Sequence, residues 1–422
     1  MSNFMGFKCS ICGKEYAPAD HLYSCPKCNG NLDVIFDYSK IRSRYQIEDI
    51  TSRTDFSLWR YLPLLPVSDP GGEGTPLRYA GWTPLYSPRG LREKLNLVEL
   101  WIKDEGRNPT ASFKDRASAV VVARAKEIKA EVVVTASTGN AGAALAGMAA
   151  AIGQPAVILA PRTAPPAKIA QMLVYGAKVI LVDGNYDTAF DLTIEASKNL
   201  GWYCRNTGYN PFTVEGKKTA AFEIWETVIR ERKSADRPLC VFVSVGDGNI
   251  ISGLHKGFKD LAELGWLEAM PKLFGVQSEK SAAVANAYFS GSEQIIPVNS
   301  TTIADSISVD LPRDGVRAVR AAGQTGGAYL TVKDSEIIES IAELGKYGIF
   351  AEPAGSTAYA GLKKAINEGI IQGDDPVLVI NTGNGLKDIK SAMLAVRNAP
   401  VIEPDIKALM DCYQNQLKGS MR

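Results

Sequence analysis

The stretch "NPTASFKDRAS", residues 108–118, sets a single amine, Lys114, where a loop of small polar residues turns into a helix. A helix N-terminus disfavours added positive charge, so an amine there is neutral more readily than one in bulk water. A neutral amine can attack a carbonyl or take a proton. Most lysines at helix starts are only solvated charges, and it is the company of this one that argues for chemistry. Three junctions at strand ends are rich in glycine and polar side chains. "VVVTASTGNAGAALAG" passes through Ser137, Thr138, Gly139 and Asn140 to Ala141. "VFVSVGDGNIISG" passes through Gly246, Asp247, Gly248 and Asn249 to Ile250. "VLVINTGNGLKD" ends at Asn381 and Thr382 before Gly383, Asn384 and Gly385. Glycine lets the backbone approach a ligand closely, and the free N–H groups of a helix start attract anions. Neither of the first two junctions has the spacing of a nucleotide P-loop, and the second departs from the dinucleotide fingerprint.

An amine, two anion cradles and a strand-end hydroxyl are the parts that pyridoxal phosphate needs. The lysine bonds its aldehyde, backbone N–H groups hold its phosphate, and a partner meets its ring nitrogen. Only two histidines occur, His21 and His255, so lysine, a carboxylate, a metal or a cofactor is expected to carry proton transfers.

A second constellation lies at the N-terminus. "CSIC" and "CPKC" form two Cys-x-x-C knuckles, Cys9 with Cys12 and Cys25 with Cys28, and the segment between them can fold back to complete a tetrahedral site. A structural zinc is the expected ion. Two disulfides, disfavoured in a reducing compartment, or a ribbon without metal are the other readings. Residues 1–37 carry Lys8, Lys14 and Lys27 against Glu15, Asp20, Asp33 and Asp37, which argues against nucleic acid as the partner of this ribbon.

These residues must be positioned by a regular frame. Strands are predicted at 132–136, 156–160, 178–182, 240–245, 273–277 and 377–381. Helices are predicted at 114–128, 140–152, 186–200, 215–231, 250–264 and 355–368. Continuous apolar strands alternating with helices read as α/β architecture with parallel sheets covered on both faces. "YLPLLPVSDPGGEGTPL" reads as an irregular wall. A chain of 422 residues, 45% hydrophobic and 22% charged, can bury more than one core. No apolar run approaches the roughly 20 residues of a membrane span, and "MSNFMGFKCS" lacks an apolar signal core, so a cytoplasmic protein without a membrane partner is expected. The net charge of +1 gives no footprint for nucleic acid.

In order along the chain, "PTASFKDR", "ASTGNAG", "VGDGNIISG", "AEPAGSTAYAG" and "NTGNGLKD" resemble the successive motifs of fold-type II pyridoxal phosphate enzymes, the tryptophan synthase β-like group. With "GGEGTPL", "NPFTVEGKKTAAFE" and the cysteine ribbon, the chain is most similar to the threonine synthase family, from about residue 58 to 395. The resemblance implies a zinc-ribbon-like segment at 1–37 and a large cofactor-binding α/β domain from 38–116 and 214–422. It also implies a small mobile α/β domain at 117–213, with the cofactor in the cleft and a homodimer as the assembly. The implied activity converts O-phospho-L-homoserine and water to L-threonine and phosphate.

By the same resemblance Lys114 carries the cofactor and moves protons, and Asn140 meets its phenolic oxygen. Gly246, Asp247, Gly248, Asn249 and Ile250 surround its phosphate, and Thr382 meets its ring nitrogen. Ser137, Thr138, Gly139, Asn140 and Ala141, with Asn206 and Thr207, face the amino-acid substrate. A carboxylate aimed at a phosphate would repel it, so Asp247 is expected to face away or to cap an N–H group. One departure stands out. Many members of that family read Asn-Pro-x-Arg-x-Glu-Gly, the arginine gripping the substrate phosphate, and here Thr213 takes its place. Arg205, Lys217, Lys218, Asn206 and Thr207 are the candidates to compensate. A serine or threonine dehydratase, or another amino-acid lyase of the same fold, is the alternative that the missing arginine would suit. An interaction module on a dead fold is the third, opposed by the intact Lys114.

Overall fold

The computed structural model describes residues 3–20, 22–232 and 236–414. Its strands are β1 Phe4–Cys9, β2 Glu15–Tyr16, β3 Leu32–Phe36, β4 Leu85–Tyr86, β5 Leu100–Asp104, β6 Val133–Ala136, β7 Ala156–Pro161, β8 Lys178–Val182, β9 Tyr203–Cys204, β10 Cys240–Ser244, β11 Lys272–Ser278, β12 Ala328–Val332 and β13 Val377–Asn381. They form three sheets, ordered β2-β1-β3, β8-β7-β6-β9 and β12-β11-β10-β13-β5-β4. The first is antiparallel, the second parallel, and the third parallel except for β4 at its edge. The six strands expected from the sequence are all present. β5 and β12 complete the larger sheet on either side of them.

Strands such as β6, β10 and β13 are buried at every residue, as helix-covered parallel strands must be. The Lys114–Glu127 helix is buried on nearly all sides and the alanine-rich Asn140–Ala150 helix packs beside it. Small side chains let these two helices lie close together at the mouth of the cleft. The helix expected at 215–231 is instead divided into Phe212–Lys217 and Thr219–Ile224, followed by a π turn at Trp225–Ile229. The Pro/Gly-rich wall contains two short 3-10 turns, Leu58–Leu64 and Pro76–Tyr79.

The N-terminal sheet is not a loose appendage. Phe7, Leu32 and Val34 belong to the same buried cluster as Val120, Leu145, Phe222 and Leu254. Phe4 and Phe7 meet Phe212 edge-on at 6.0 and 6.2 Å. Among the described residues no helix is long and apolar enough to cross a membrane.

Candidate active site

Lys114 is the first residue of its helix, and the turn before it is held from both sides. The Asp115 carboxylate accepts the Thr110 N–H at 2.6 Å and also the Thr110 hydroxyl. The Phe113 N–H donates to the carbonyl of Thr382 at 2.9 Å. Between these anchors Ala111 takes a φ of +66°, a left-handed conformation that residues with a Cβ avoid unless the surroundings impose it. The amine is thereby delivered into a cavity between the two larger sheets. Burial pushes it below the usual lysine range, Asp247 and Glu352 pull it back, and Arg205 adds to the push.

Ser137, Thr138, Gly139, Asn140 and Ala141 line one wall of that cavity. The Ser137 hydroxyl oxygen accepts the N–H of Gly139 at 3.0 Å and of Gly142 at 2.8 Å, bracing the loop from inside. The N–H groups of Asn140 and Ala141 lie in the first helical turn, where the helix offers them no acceptor. Asn140 Nδ2 donates to Glu352 Oε1 at 2.7 Å and Ser306 Oγ at 3.1 Å, while its Oδ1 is buried with no donor.

Gly246, Asp247, Gly248, Asn249 and Ile250 line the opposite wall, between β10 and the Asn249–Glu263 helix. Gly248 has φ +90°, and a Cβ there would sit 2.8 Å from the Asp314 carbonyl, so glycine is required. The Asp247 carboxylate accepts the Arg313 N–H at 3.3 Å and its carbonyl accepts the Asp314 N–H at 2.9 Å. It caps the neighbouring chain, as its charge demands. Thr382 closes the floor, its Oγ1 3.4 Å from Ser244 Oγ, and Thr207 lines the far side.

Three candidates lie elsewhere. Asn206 is absent from the cavity wall; its Oδ1 accepts the Ala136 N–H at 2.7 Å and the Thr135 hydroxyl at 3.2 Å, fastening its loop to β6. Lys218 is wholly buried between Glu215 at 2.5 Å and Asp260 at 2.7 Å, with its ammonium 4.0 Å from the Phe36 ring centre, and so is a packing residue. The Thr213 hydroxyl donates to the Asn210 carbonyl at 2.7 Å within its own turn. Arg205 and Lys217 lie behind the wall, joined to lining residues: Arg205 Nη1 donates to Thr207 Oγ1 at 2.6 Å and Lys217 Nζ to Asn249 Oδ1 at 2.6 Å.

Tyr186, Asp305, Ser306 and Glu352 also line the cavity and were not anticipated. Glu352 stands at the N-cap of the Pro353–Asn367 helix, inside "AEPAG", where the sequence signals a helix start but not which way the carboxylate faces. Burial raises its proton affinity, against the pull of Lys168 and Lys387. Lys168 bonds Asp305 at 2.5 Å and Lys387 bonds Gln171 at 2.7 Å, so the Pro166–Val174 helix is tied across the cavity mouth. His255 is buried away from the cavity, and His21 lies outside the described residues.

The four N-terminal thiols converge. The Sγ atoms of Cys9, Cys12, Cys25 and Cys28 lie within 4.8 Å of one another and none forms a disulfide. Cys9 and Cys28 are 3.5 Å apart, Cys12 and Cys25 3.7 Å. A tetrahedron with metal–sulfur bonds of about 2.3 Å has edges of about 3.8 Å, so the donor set fits one thiophilic ion.

Compared with known proteins, residues 77–383 match the model of the family described as pyridoxal-phosphate dependent enzyme. The threonine synthase of Methanocaldococcus jannaschii is 40% identical over 405 residues, covering 95% of this chain and 98% of that one. The threonine synthase of Methanosarcina acetivorans is 37% identical over 415 residues, covering 97% and 99%. Among solved structures, threonine deaminase isoform 2 of Solanum lycopersicum superposes with a TM-score of 0.65 at 23% identity, over 80% of this chain and 92% of that one. Diaminopropionate ammonia lyase of Escherichia coli does so with 0.64 at 21%, over 82% and 93%. At such identities these two speak for the fold alone.

Proposed function

The chain belongs to the pyridoxal-phosphate dependent enzymes and, by similarity along its whole length, to the threonine synthases among them; from this premise we propose that it converts O-phospho-L-homoserine and water to L-threonine and phosphate. The observation that carries the site assignment is the half-buried Lys114 amine, its proton affinity lowered by desolvation, opening on a cavity lined by two helix starts.

The residues present fit the cofactor. Asn140 Oδ1 is a buried acceptor without a donor, the Gly246–Ile250 turn lines the cavity at a helix start whose first N–H groups have no intrahelical acceptor, and Thr382 offers a hydroxyl. Lys114 would hold the aldehyde, Gly246, Asp247, Gly248, Asn249 and Ile250 the phosphate, Asn140 the phenolic oxygen and Thr382 the ring nitrogen. When bound, the cofactor supplies an electron sink for charge developing at the substrate α-carbon. Lys114 Nζ takes the proton from that carbon and then one from the β-carbon, a task that needs the depressed proton affinity its burial provides. The substrate carboxylate is oriented by Thr138 and the free N–H groups of Asn140 and Ala141, with Ser137 bracing their loop. A Thr382 hydroxyl, unlike a carboxylate, would not hold the ring nitrogen protonated, which would favour elimination and replacement over transamination.

We read 117–213 as a mobile unit whose approach to 38–116 and 214–422 shuts out water, with the Lys168–Asp305 and Lys387–Gln171 bonds as its latch. Zinc is the ion assigned to Cys9, Cys12, Cys25 and Cys28, supported by their mutual spacing. A cytoplasmic homodimer is the assembly this reading carries. The exposed run Leu386, Ile389, Met393 and Leu394 is the surface it would cover.

One observation favours a second reading. Thr213 is committed to Asn210, so the position offers a phosphate nothing, as would suit an amino-acid lyase of the dehydratase type. The test is product formation by the cofactor-loaded protein: phosphate from O-phosphohomoserine against keto acid from threonine. Lys114→Ala is expected to abolish turnover and the visible absorption of the lysine-bound cofactor together.

A further inference from the structure

Most buried cations among the described residues are neutralised by a carboxylate in contact. Arg116 is paired with Glu105 and Glu223, and Lys218 with Glu215 and Asp260. Arg205 and Lys217, equally buried, have no carboxylate in ion-pair contact among the described residues. Arg205 Nε donates to Ser118 Oγ at 3.2 Å, Nη1 to Thr207 Oγ1 at 2.6 Å, and Nη2 is buried without a partner. Lys217 has the Asn249 amide oxygen. A buried cation left without an anion is strongly destabilising, so a site with two of them beside a cavity is built for anions that arrive from outside.

The proposed reaction brings two phosphates, and the two cations are hydrogen-bonded to different lining residues. Lys217 is bonded to Asn249, within the Gly246–Ile250 turn, and so faces the cofactor's phosphate. Arg205 is bonded to Thr207, a lining residue that is not part of that turn. Because Thr207 Oγ1 accepts from Arg205, its own O–H is directed elsewhere, and no acceptor for it exists among the described residues. Resting on the proposed activity, we propose that Arg205, acting through the Thr207 hydroxyl, forms the subsite for the phosphate ester of the substrate, the role that Thr213 cannot fill. Thr207 donates to a phosphate oxygen, and Arg205 fixes the direction of that donation and adds its charge from behind. Arg205 is thus a positioning and specificity residue. Burial pushes its guanidinium down to about 10, the direction expected of a cation whose counter-ion is missing.

The test uses the cofactor-loaded enzyme with Arg205→Met, Arg205→Lys and Thr207→Val. Three quantities are read: the Kd of inorganic phosphate by titration calorimetry, the Kd of the cofactor, and KM and kcat for O-phosphohomoserine. Arg205→Met and Thr207→Val are each expected to weaken phosphate and raise KM by about tenfold or more, with cofactor affinity held within about twofold. Arg205→Lys, which keeps charge and fold if the methionine variant does not, should recover part of the loss. Unchanged phosphate affinity overturns the proposal. So does an equal loss of phosphate and cofactor affinity, or of phosphate and L-threonine affinity, since these would assign Arg205 to the cofactor cradle or to the substrate carboxylate. Phosphate binding is measured without turnover. Binding that depends on Arg205 in a protein that releases no phosphate from O-phosphohomoserine would therefore overturn the activity and leave the anion subsite standing.

Discussion

Lys114 owes its character to neighbours that do not touch it: burial, the Arg205 charge and the helix start all act against its proton. The residues around it are similarly constrained. A Cβ on Gly139 would lie 2.5 Å from Lys168 Cδ, so Gly139→Ala must push Lys168 away from Asp305. That variant is expected to lose about 1–3 kcal/mol in thermal unfolding and to show a raised KM, and unchanged values of both would contradict the packing. Ser137→Ala strands the N–H groups of Gly139 and Gly142 and should cost about 1–3 kcal/mol by the same measurement. Residue types at strand ends were legible in the sequence, because glycine and hydroxyls there have few other uses. Direction was not. Asn206 and Thr207 are adjacent, yet one side chain turns into β6 and the other to the cavity. Lys217 and Lys218 likewise diverge, one to Asn249 in the Gly246–Ile250 turn and one to a carboxylate pair. Glu352 and Asp305 enter the site from far along the chain, through tertiary packing that spacing does not encode.

At the scale of elements, β6, β7, β10 and β13 were readable because a strand buried on both faces is uniformly apolar. "LWIKD" and "AYLTV" were missed because Lys103, Asp104 and Thr331 break that uniformity. Lys103 is buried with its charge met by Glu223 at 2.7 Å and by the Thr83 carbonyl at 3.2 Å. The Pro166–Val174 helix was missed because two prolines precede its apolar face. The cysteine ribbon, by contrast, is joined to the site. Asn31 Nδ2 donates to the carbonyls of Gly208 at 2.5 Å and Arg313 at 3.0 Å, and the Arg313 N–H in turn donates to the Asp247 carboxylate. Chelation of the ion proposed for the four thiols is therefore expected to lower the melting temperature and raise KM. A melt and a KM that ignore chelation would show that the thiols hold no ion of consequence.

For the whole molecule, acid stability has one separable contributor. Burial lowers His255 from 6.5 to about 4, so between those pH values the unfolded chain binds a proton that the folded one refuses. Its contribution is complete above pH 6.5 and is lost as pH falls toward 4, about 3 kcal/mol in all. Urea unfolding of His255→Gln should accordingly decline less than wild type between pH 7 and 4.5, and parallel declines would contradict the assignment. The parallel α/β frame was evident from the alternation of strands and helices, whereas the burial of the ribbon in the common core was not, since scattered residues such as Phe7, Leu32, Val34 and Phe36 carry it. The central claim concerns what the assembled cavity does, and the most direct measurement incubates cofactor-loaded protein with O-phospho-L-homoserine and quantifies both products. Phosphate and L-threonine in equal amounts, both absent with Lys114→Ala, is the expected result; keto acid from threonine with no phosphate released from the ester would contradict it.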